Sequence, residues 1–513
     1  MFFTVLHNTQ RIPIGAKNQA FLFVDGWDDW RKFRTMFSLH LADENGTTHH
    51  IGSVKIGQEG LKPSGKELEP NHRAPNLPKN FNQLEQNFFS LGQGEDYYAS
   101  LNKLSPELRQ KIFIGLRDCV DDLNIFARFR HEEVMSESLL RSISETTVRG
   151  RLNRLAQGDA QLTNFAFQYR LKSSTNSDDF PMTFNVIPNS QPPTNVHVLI
   201  GRNGVGKTRF MRHLVLSILK HEVEDNLDIG VFEMADTGIV GSQVDPFAGL
   251  VLVSFSAFDD FELPKQKSGN IFCHQVGLWN DEQANTKSFK ELGKEFADSL
   301  ERCKSDVRAE RWRTAIKALE EDDLFAEADV TSLMTPDLND SMEDRAQKLF
   351  KRLSSGHAIV LLTITRLVEL VDERTLVLLD EPEGHLHPPL LASFVRVLSD
   401  LLVRRNGVAI IATHSPVVLQ EIPRSCVWKL RRTGASSFVE RPTIETFGEN
   451  IGMLTREVFG LQVTQSGFHH LLRKAILNGS DYETALIKFN NQLGNEGKSI
   501  IRALIAVRDM DSV

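Results

Sequence analysis

Four short stretches of this chain hold residues whose types and spacing could do chemistry. Gly201-Arg202-Asn203-Gly204-Val205-Gly206-Lys207-Thr208 has the form G-x-x-x-x-G-K-T. Glycines in such a loop let backbone N–H groups curl around a phosphate chain, and the helix that follows adds the positive end of its dipole. Gly201, Asn203, Gly204, Val205, Gly206, Lys207 and Thr208 are therefore the expected phosphate cradle. Lys207 should reach the β- and γ-phosphates, and the Thr208 hydroxyl should ligate Mg²⁺. Asp380-Glu381 ends the apolar run TLVLLD: the first carboxylate suits Mg²⁺, directly or through water, and the second is placed to polarise an attacking water. VAIIATH ends in His414, expected to face the γ-phosphate. The catalytic candidates are thus Glu381, His414 and Lys207, with Thr208 and Asp380 as metal ligands. The last stretch, Leu353-Ser354-Ser355-Gly356-His357, is on its own either a polar turn or half of an active site.

The elements that must position these residues can be read from the apolar pattern. VHVLI, LVLVSF, TLVLLD and VAIIAT are continuous apolar runs, as in strands buried on both faces, and each ends at a polar cluster. Behind the glycine loop, Phe210, Met211, Leu214, Val215 and Ile218 recur at helical spacing. The expectation is an α/β fold with a largely parallel sheet flanked by helices. NFAFQYRL and MTFNVI add strands, and FLFVDGW, MFSLHLA and HHIGSVKI form an N-terminal strand group with a turn at Asp43-Glu44-Asn45-Gly46. Ser105-Pro106 starts a helix carrying Ile112 and Leu116. Arg149, Arg151 and Arg154 cluster on a later helical segment and read as a solvated face, with an anion or nucleic-acid contact as the alternative. The charged segment from Ser288 to Asp323 should be helical and exposed. His385 and His387 precede Pro388-Pro389 and lack a third ligand, so they read as turn residues and not as a metal pair.

With 513 residues the chain exceeds one compact core. A formal net charge of −8 gives no overall basic field for non-specific nucleic-acid binding. The four scattered cysteines form no CxxC pair, and no apolar run approaches a membrane span; both fit a cytoplasmic protein without a membrane partner.

Phosphate loop, then Ser-Ser-Gly before a helix, then Asp-Glu at a strand end, then a strand ending in His: this order resembles the ATP-binding-cassette (ABC) ATPases. LSSGH is similar to their LSGGQ signature. The resemblance implies an ABC ATPase head, with a parallel sheet, an antiparallel β subdomain and helical insertions. It implies ATP and Mg²⁺ as ligands, and a homodimer or higher oligomer in which Ser354, Ser355 and Gly356 serve the γ-phosphate held by a second protomer. It also implies that Gly384 to His387 is the D-loop region and His414 the switch histidine. The form DEPEGHLHP resembles the branch holding the RecF, Rad50, SMC and OLD-type ATPases. No glutamine stands near LVLVSFSAFDDFE, where a Q-loop would fall; Gln266 comes later.

In these terms residues 1–60 would be the N-terminal β part of the head and 61–160 a helical insertion. Residues 161–275 would be core with the phosphate loop and 276–345 a helical arm; the segment between Phe255 and Leu353 allows only a short one, on the order of 50 Å if it folds back as a hairpin. Residues 346–440 would be core with signature, Asp380-Glu381 and His414, and 441–513 a mostly helical region. The flanks LRDCVDDLNIF, SLLRSISETTVRGRLNRLAQGDAQLTNFAFQY and FGENIGMLTREVFGL look like the PtuA-type ATPase of Septu and retron-associated antiphage defence. That resemblance implies an HNH-type nuclease partner and, in the retron form, a reverse transcriptase with its RNA–DNA hybrid. Asp509 and Asp511 resemble a nuclease DxD only superficially, so a partner would supply any cleavage. The competing expectations are a RecF- or SMC-like repair ATPase clamping DNA in its ATP-bound dimer, and a binding module with a structural nucleotide.

Overall fold

The computed structural model describes residues 1–510 except 8, 27–31, 64–72, 159–161, 171–180, 220–228, 235–246, 256–270, 281–284, 305, 336–339, 434–435, 461–466 and 477–479. Strands β1 (Phe2–His7), β2 (Gln19–Val24), β3 (Met36–Ala42), β4 (Thr48–Gln58), β5 (Asn80–Phe81) and β6 (Phe88–Gly92) form one six-stranded sheet in the order β5-β1-β2-β3-β4-β6. Helices α1 (Glu95–Asn102), α2 (Pro106–Leu116), α3 (Leu123–Phe129), α4 (Glu145–Thr147) and α5 (Asn153–Ala156) complete this unit. Ser105 caps α2 by accepting from Leu108 N, with Pro106 at the first helical position, as the sequence predicts.

The N-terminal strands form a sheet of their own, apart from the one that carries the phosphate loop. Their buried face (Phe3, Leu22, Leu39, Val54, Phe89) shares one core with Ile112, Phe126 and Leu152, so residues before and after 60 fold together. Apolar residues on both segments can be buried only by each other, because the second sheet is already covered on both faces.

That second sheet has seven strands. They are β9 (Val196–Ile200), β11 (Gly249–Ser254), β12 (Phe272–Gly277), β15 (Thr375–Asp380), β16 (Val408–Thr413), β17 (Val427–Thr433) and β18 (Ser436–Glu440), in the order β12-β11-β15-β16-β9-β17-β18. All pairs are parallel except β17–β18. Along β15, Leu376 and Leu378 enter one core while Val377 and Leu379 enter the other, which is why the sequence shows an unbroken apolar run. On one face sit α6 (Lys207–Ile218) and a three-stranded antiparallel sheet, β7 (Phe165–Arg170), β8 (Met182–Val186) and β10 (Val231–Met234). This is the expected α/β architecture with its antiparallel subdomain.

The opposite face is covered by α7 (Phe289–Arg302), α8 (Asp306–Leu319), α9 (Asp323–Ala328), α10 (Met342–Arg352), α11 (Ser355–Leu370), α12 (Pro388–Arg405) and α13 (Pro416–Gln420). Two-residue strands β13 (Trp279–Asn280) and β14 (Asn285–Thr286) precede α7. The expected exposed arm is therefore corrected. Leu292, Phe296 and Leu300 recur every fourth residue on α7 and are buried, while Trp312 donates its indole N–H to Thr365 Oγ1 at 2.9 Å. Charge conceals an apolar stripe that ties the segment to α11 through Ser299, Arg302 and Glu369. Helix α14 (Ile451–Phe459) and helices Phe468–Ile476, Tyr482–Lys488 and Asn495–Met510 end the chain. No helix among the described residues is long and apolar enough to cross a membrane.

Two of the three clustered arginines leave the expected solvated face, while Arg149 stays exposed. Arg154 lies 2.5 Å from Glu373, and Arg151 lies 3.5 Å from Glu95 and 3.6 Å from Glu373; Arg149 stacks over Phe126. Two of these arginines bind the N-terminal unit to the ATPase sheet.

Within the N-terminal core, Asp118 is fully enclosed, accepting from Val120 N at 2.8 Å and from the Tyr98 hydroxyl at 3.2 Å. Burial pushes its carboxyl up to about 7, against the pull of the N–H groups of Val120 and Asp121. Its folded value lies above the unfolded one, so the folded state holds the extra proton between about pH 4 and 7. Stability is then greater below that window and falls as pH rises through it, by about 1.4 kcal/mol for each pH unit crossed. Asp118→Asn should flatten this dependence and raise the urea midpoint at pH 8; an unchanged pH profile would contradict it.

Candidate nucleotide site

Three adjacent parallel strands deliver the site. Thr413 pairs with Ile200 and Ala412 with Asp380, so the ends of β9, β16 and β15 open on one edge. In open α/β sheets that carboxyl edge is where ligands bind.

The loop after β9 takes a conformation that only its glycines permit. Gly204 and Gly206 have φ of +77° and +104°. A Cβ on Gly201 would stand 2.5 Å from the Leu430 carbonyl oxygen. Asn203 and Gly204 are exposed, and Val205 is half-buried against the core beneath. Gly206 caps α6, and Lys207 is its first residue. The Lys207 ammonium is buried, donating to the carbonyls of Gly201 and Arg202, each at 3.2 Å, and lying 3.2 Å from Glu381 Oε1. The Thr208 hydroxyl donates to Asp380 Oδ2 at 2.6 Å. Glu381 adopts φ +43°, a left-handed conformation that a non-glycine residue takes only when its surroundings impose it, and its N–H bonds the Ala412 carbonyl. The backbone thus turns the carboxylate out over the phosphate loop. Asp380, Glu381, Lys207 and Thr208 are brought together as the sequence predicts.

His414 joins them at the end of β16. Its N–H donates to Glu383 Oε1 at 2.7 Å, its ring Nδ1 lies 3.0 Å from the same oxygen, and Glu381 Oε1 is 3.8 Å away. Sequence reasoning passed over Glu383, whose side chain is only 8% exposed. The signal was the third carboxylate of Asp380-Glu381-Pro382-Glu383. It also missed Arg202, whose guanidinium donates to the Phe459 carbonyl at the end of α14 at 2.9 Å and ties the loop to that helix.

LSSGH opens α11 as expected, with Ser354 as N-cap accepting from His357 N. Ser354 and Ser355 are exposed, while His357 is buried, its Nδ1 2.6 Å from Ser354 Oγ and its Nε2 2.9 Å from Asp322. The hydrogen bonds of Ser354 are to His357 and not to the phosphate loop of its own chain. A Cβ on Gly356 would lie 2.6 Å from the His385 carbonyl oxygen. Substitution there therefore moves the loop after Glu381, besides anything it does to a neighbouring subunit. His387 caps α12 by accepting from Leu390 N, and His385 Nε2 is 3.2 Å from the Phe255 carbonyl, so both serve the turn. Residues 256–270, with the Q-loop segment and Gln266, lie outside the described residues, as does Asp511; Asp509 pairs with Arg508.

The donor set fits a magnesium nucleotide. A hydroxyl and a carboxylate in contact at the mouth of a glycine loop, with a buried ammonium beside them, match hard-cation and phosphate chemistry.

Residues 281–420 match the family model described as "AAA domain, putative AbiEii toxin, Type IV TA system". Among solved structures, a metal-chelate type ABC transporter in an inward-facing conformation is 15% identical, covering 57% of this chain and 89% of its own, with a TM-score of 0.29. An ABC transporter ATP-binding protein from Pyrococcus furiosus is 14% identical over 49% of this chain and 92% of its own, at a TM-score of 0.24. UvrA2 from Deinococcus radiodurans is 12% identical over 55% of this chain and 38% of its own, at 0.27. Protein ea59 of Escherichia phage lambda is 42% identical over 534 residues, spanning 100% of this chain and 99% of that protein. The chain therefore belongs to the family of phage lambda protein ea59.

Proposed function

We propose that the chain hydrolyses ATP with Mg²⁺ and works as a homodimer, or a higher oligomer, that regulates a separate effector nuclease in antiphage defence, as PtuA-type ATPases do. The observation that carries the ATPase reading is the contact of Thr208 with Asp380 and of Lys207 with Glu381 at one strand edge. Thr208 and Asp380 would hold Mg²⁺, which supplies charge neutralisation across the phosphates. Gly201 to Gly206 cradle the phosphates through backbone N–H groups, and Lys207 trades its two carbonyl partners for phosphate oxygens. Glu381 accepts a proton from the attacking water, and His414 faces the γ-phosphate. Exposed Ser355 at the N-terminus of α11, and Ser354 on exchanging its bonds to His357, would complete the site of a second protomer.

One finding supports the defence setting: the family model matched over residues 281–420 is described by a type IV TA system toxin. The HNH-type nuclease, and in a retron form the reverse transcriptase and RNA–DNA hybrid, rest on the flank resemblance to PtuA. The rival reading, a RecF- or SMC-like clamp on DNA, loses two of its three candidate contacts, because Arg151 and Arg154 are engaged in ion pairs, while Arg149 stays exposed. Two measurements test the proposal. Purified protein with Mg²⁺ and ATP should release phosphate, with Lys207→Ala lowering turnover by about 100-fold or more. Tagged protein expressed with its genomic neighbours should bring down a nuclease. Absence of turnover defeats the ATPase reading, and a nuclease-free complex defeats the regulatory one.

A further inference from the structure

Glu383 is a carboxylate that the catalytic scheme above does not use, held where it can govern a histidine that the scheme does. It stands on the turn Pro382–His385, a single 3₁₀ turn wedged between the ends of β15 and β16. Its Oε1 accepts from the Thr413 hydroxyl at 2.6 Å and from the His414 N–H at 2.7 Å, which fixes the backbone just where the imidazole departs. Its Oε2 is buried and accepts no hydrogen bond from the described residues. The His414 Nδ1 is likewise buried without one, although it lies only 3.0 Å from Oε1. Nδ1 is thus within donor reach of Oε1, and a small rotation of the ring completes that bond. Leaving the buried ring nitrogen unpaired would cost its desolvation.

We propose that Glu383 is a positioning residue that holds His414 as the Nδ1–H tautomer and turns Nε2 toward the nucleotide. The inference rests on the ATPase reading for its functional consequence, but the tautomer itself does not. The other charged groups facing the ring are Glu381, 3.8 Å from Nδ1, and, through Glu381, Lys207. Glu381 is itself occupied by Lys207, whereas the imidazole is the cation-forming group that Glu383 faces among the described residues. With the Nδ1 proton committed, Nε2 accepts from a water. Once it carries a second proton, it donates to a phosphate oxygen while Glu383 balances the charge. This is the role that the buried carboxylate of a hydrolytic triad plays for its histidine: orientation and tautomer, without proton transfer to the carboxylate.

Glu383→Gln discriminates. Glutamine keeps the size and the Oε1 acceptor for Thr413 and the His414 N–H, so the loop should fold. Its uncharged oxygen holds an Nδ1 proton far less well than the carboxylate does, so the ring should shift to the Nε2–H tautomer that a free imidazole prefers. Imidazole ¹⁵N spectra of histidine-labelled, nucleotide-free protein, with the His414 signal assigned by its loss in His414→Asn, should show Nδ1–H in the wild type and Nε2–H in the variant. Turnover should fall about 100-fold, with the KM for ATP unchanged. A wild-type Nε2–H tautomer overturns the proposal, and so does a folded Glu383→Gln protein with wild-type kcat. Should the wild type release no phosphate, the ATPase reading fails while the spectra still decide the role of Glu383. A Glu383→Asp variant guards against misfolding: its shorter side chain keeps the charge, and it should retain the Nδ1–H tautomer with an intermediate kcat.

Discussion

Glu381→Gln should lower ATP turnover by at least about 100-fold while leaving ATP affinity within about twofold of wild type. Glutamine matches the shape of glutamate and meets the same backbone demand at φ +43°, so the left-handed turn should persist. What is lost, on the proposed mechanism, is the basic oxygen that would take the proton of the attacking water. The substitution also removes the carboxylate 3.2 Å from the Lys207 ammonium, and the lysine keeps its bonds to the Gly201 and Arg202 carbonyls. ATP binding draws the same lysine toward phosphate, so dissolving one ion pair beforehand does not weaken affinity. Single-turnover phosphate release, set beside calorimetric ATP binding, reads both quantities. Wild-type phosphate release would remove Glu381 from the mechanism, and a large loss of affinity would make it a binding residue.

The grouping of the candidate site was legible because its residues stand in contiguous motifs. Each catalytic group stands within a residue or two of a strand end or at the start of the helix behind the glycine loop, and the parallel order of β9, β16 and β15 makes sequence motifs into spatial neighbours. The double-faced burial of those strands was visible as unbroken apolar runs. What escaped was everything decided by long-range partners. Leu292, Phe296 and Leu300 look like minor interruptions in a charged helix until α11 is beside them. Likewise, Arg151 and Arg154 look like surface charge because their acids lie elsewhere in the chain, at Glu95 and Glu373. Strands β1 to β4 carry a pattern that any half-buried sheet would show, so periodicity alone could not say which sheet they join. Glu383 was hidden for the opposite reason: it sits inside a motif whose two preceding carboxylates absorbed the explanation.

The largest effect on stability is expected at Arg405, far from the chemistry. Its side chain is 5% exposed and lies 2.7 Å from Glu95, itself 10% exposed, and 2.7 Å from the more exposed Asp372. It also donates to the Val371 carbonyl, while Arg311 pairs with Asp96 nearby. The guanidinium joins the N-terminal unit to the C-terminal end of α12 and the turn before β15. Arg405→Ala leaves the Glu95 carboxylate buried with Arg151, at 3.5 Å, as its remaining ion-pair partner among the described residues, and should cost about 3–5 kcal/mol of unfolding free energy. Glu95→Gln made on top of Arg405→Ala should recover part of that loss, since the stranded charge is then gone. The cluster stands at the entry of β15 and Asp380 at its exit, the ends of a strand of 6 residues and hence roughly 20 Å apart. Turnover per folded molecule should therefore be unchanged, provided the assay temperature lies below the lowered melting transition. Urea denaturation of the two single variants and the double variant measures the coupling. Additive losses would mean that the ion pair does not hold the two units together, and that the apolar contacts between them suffice.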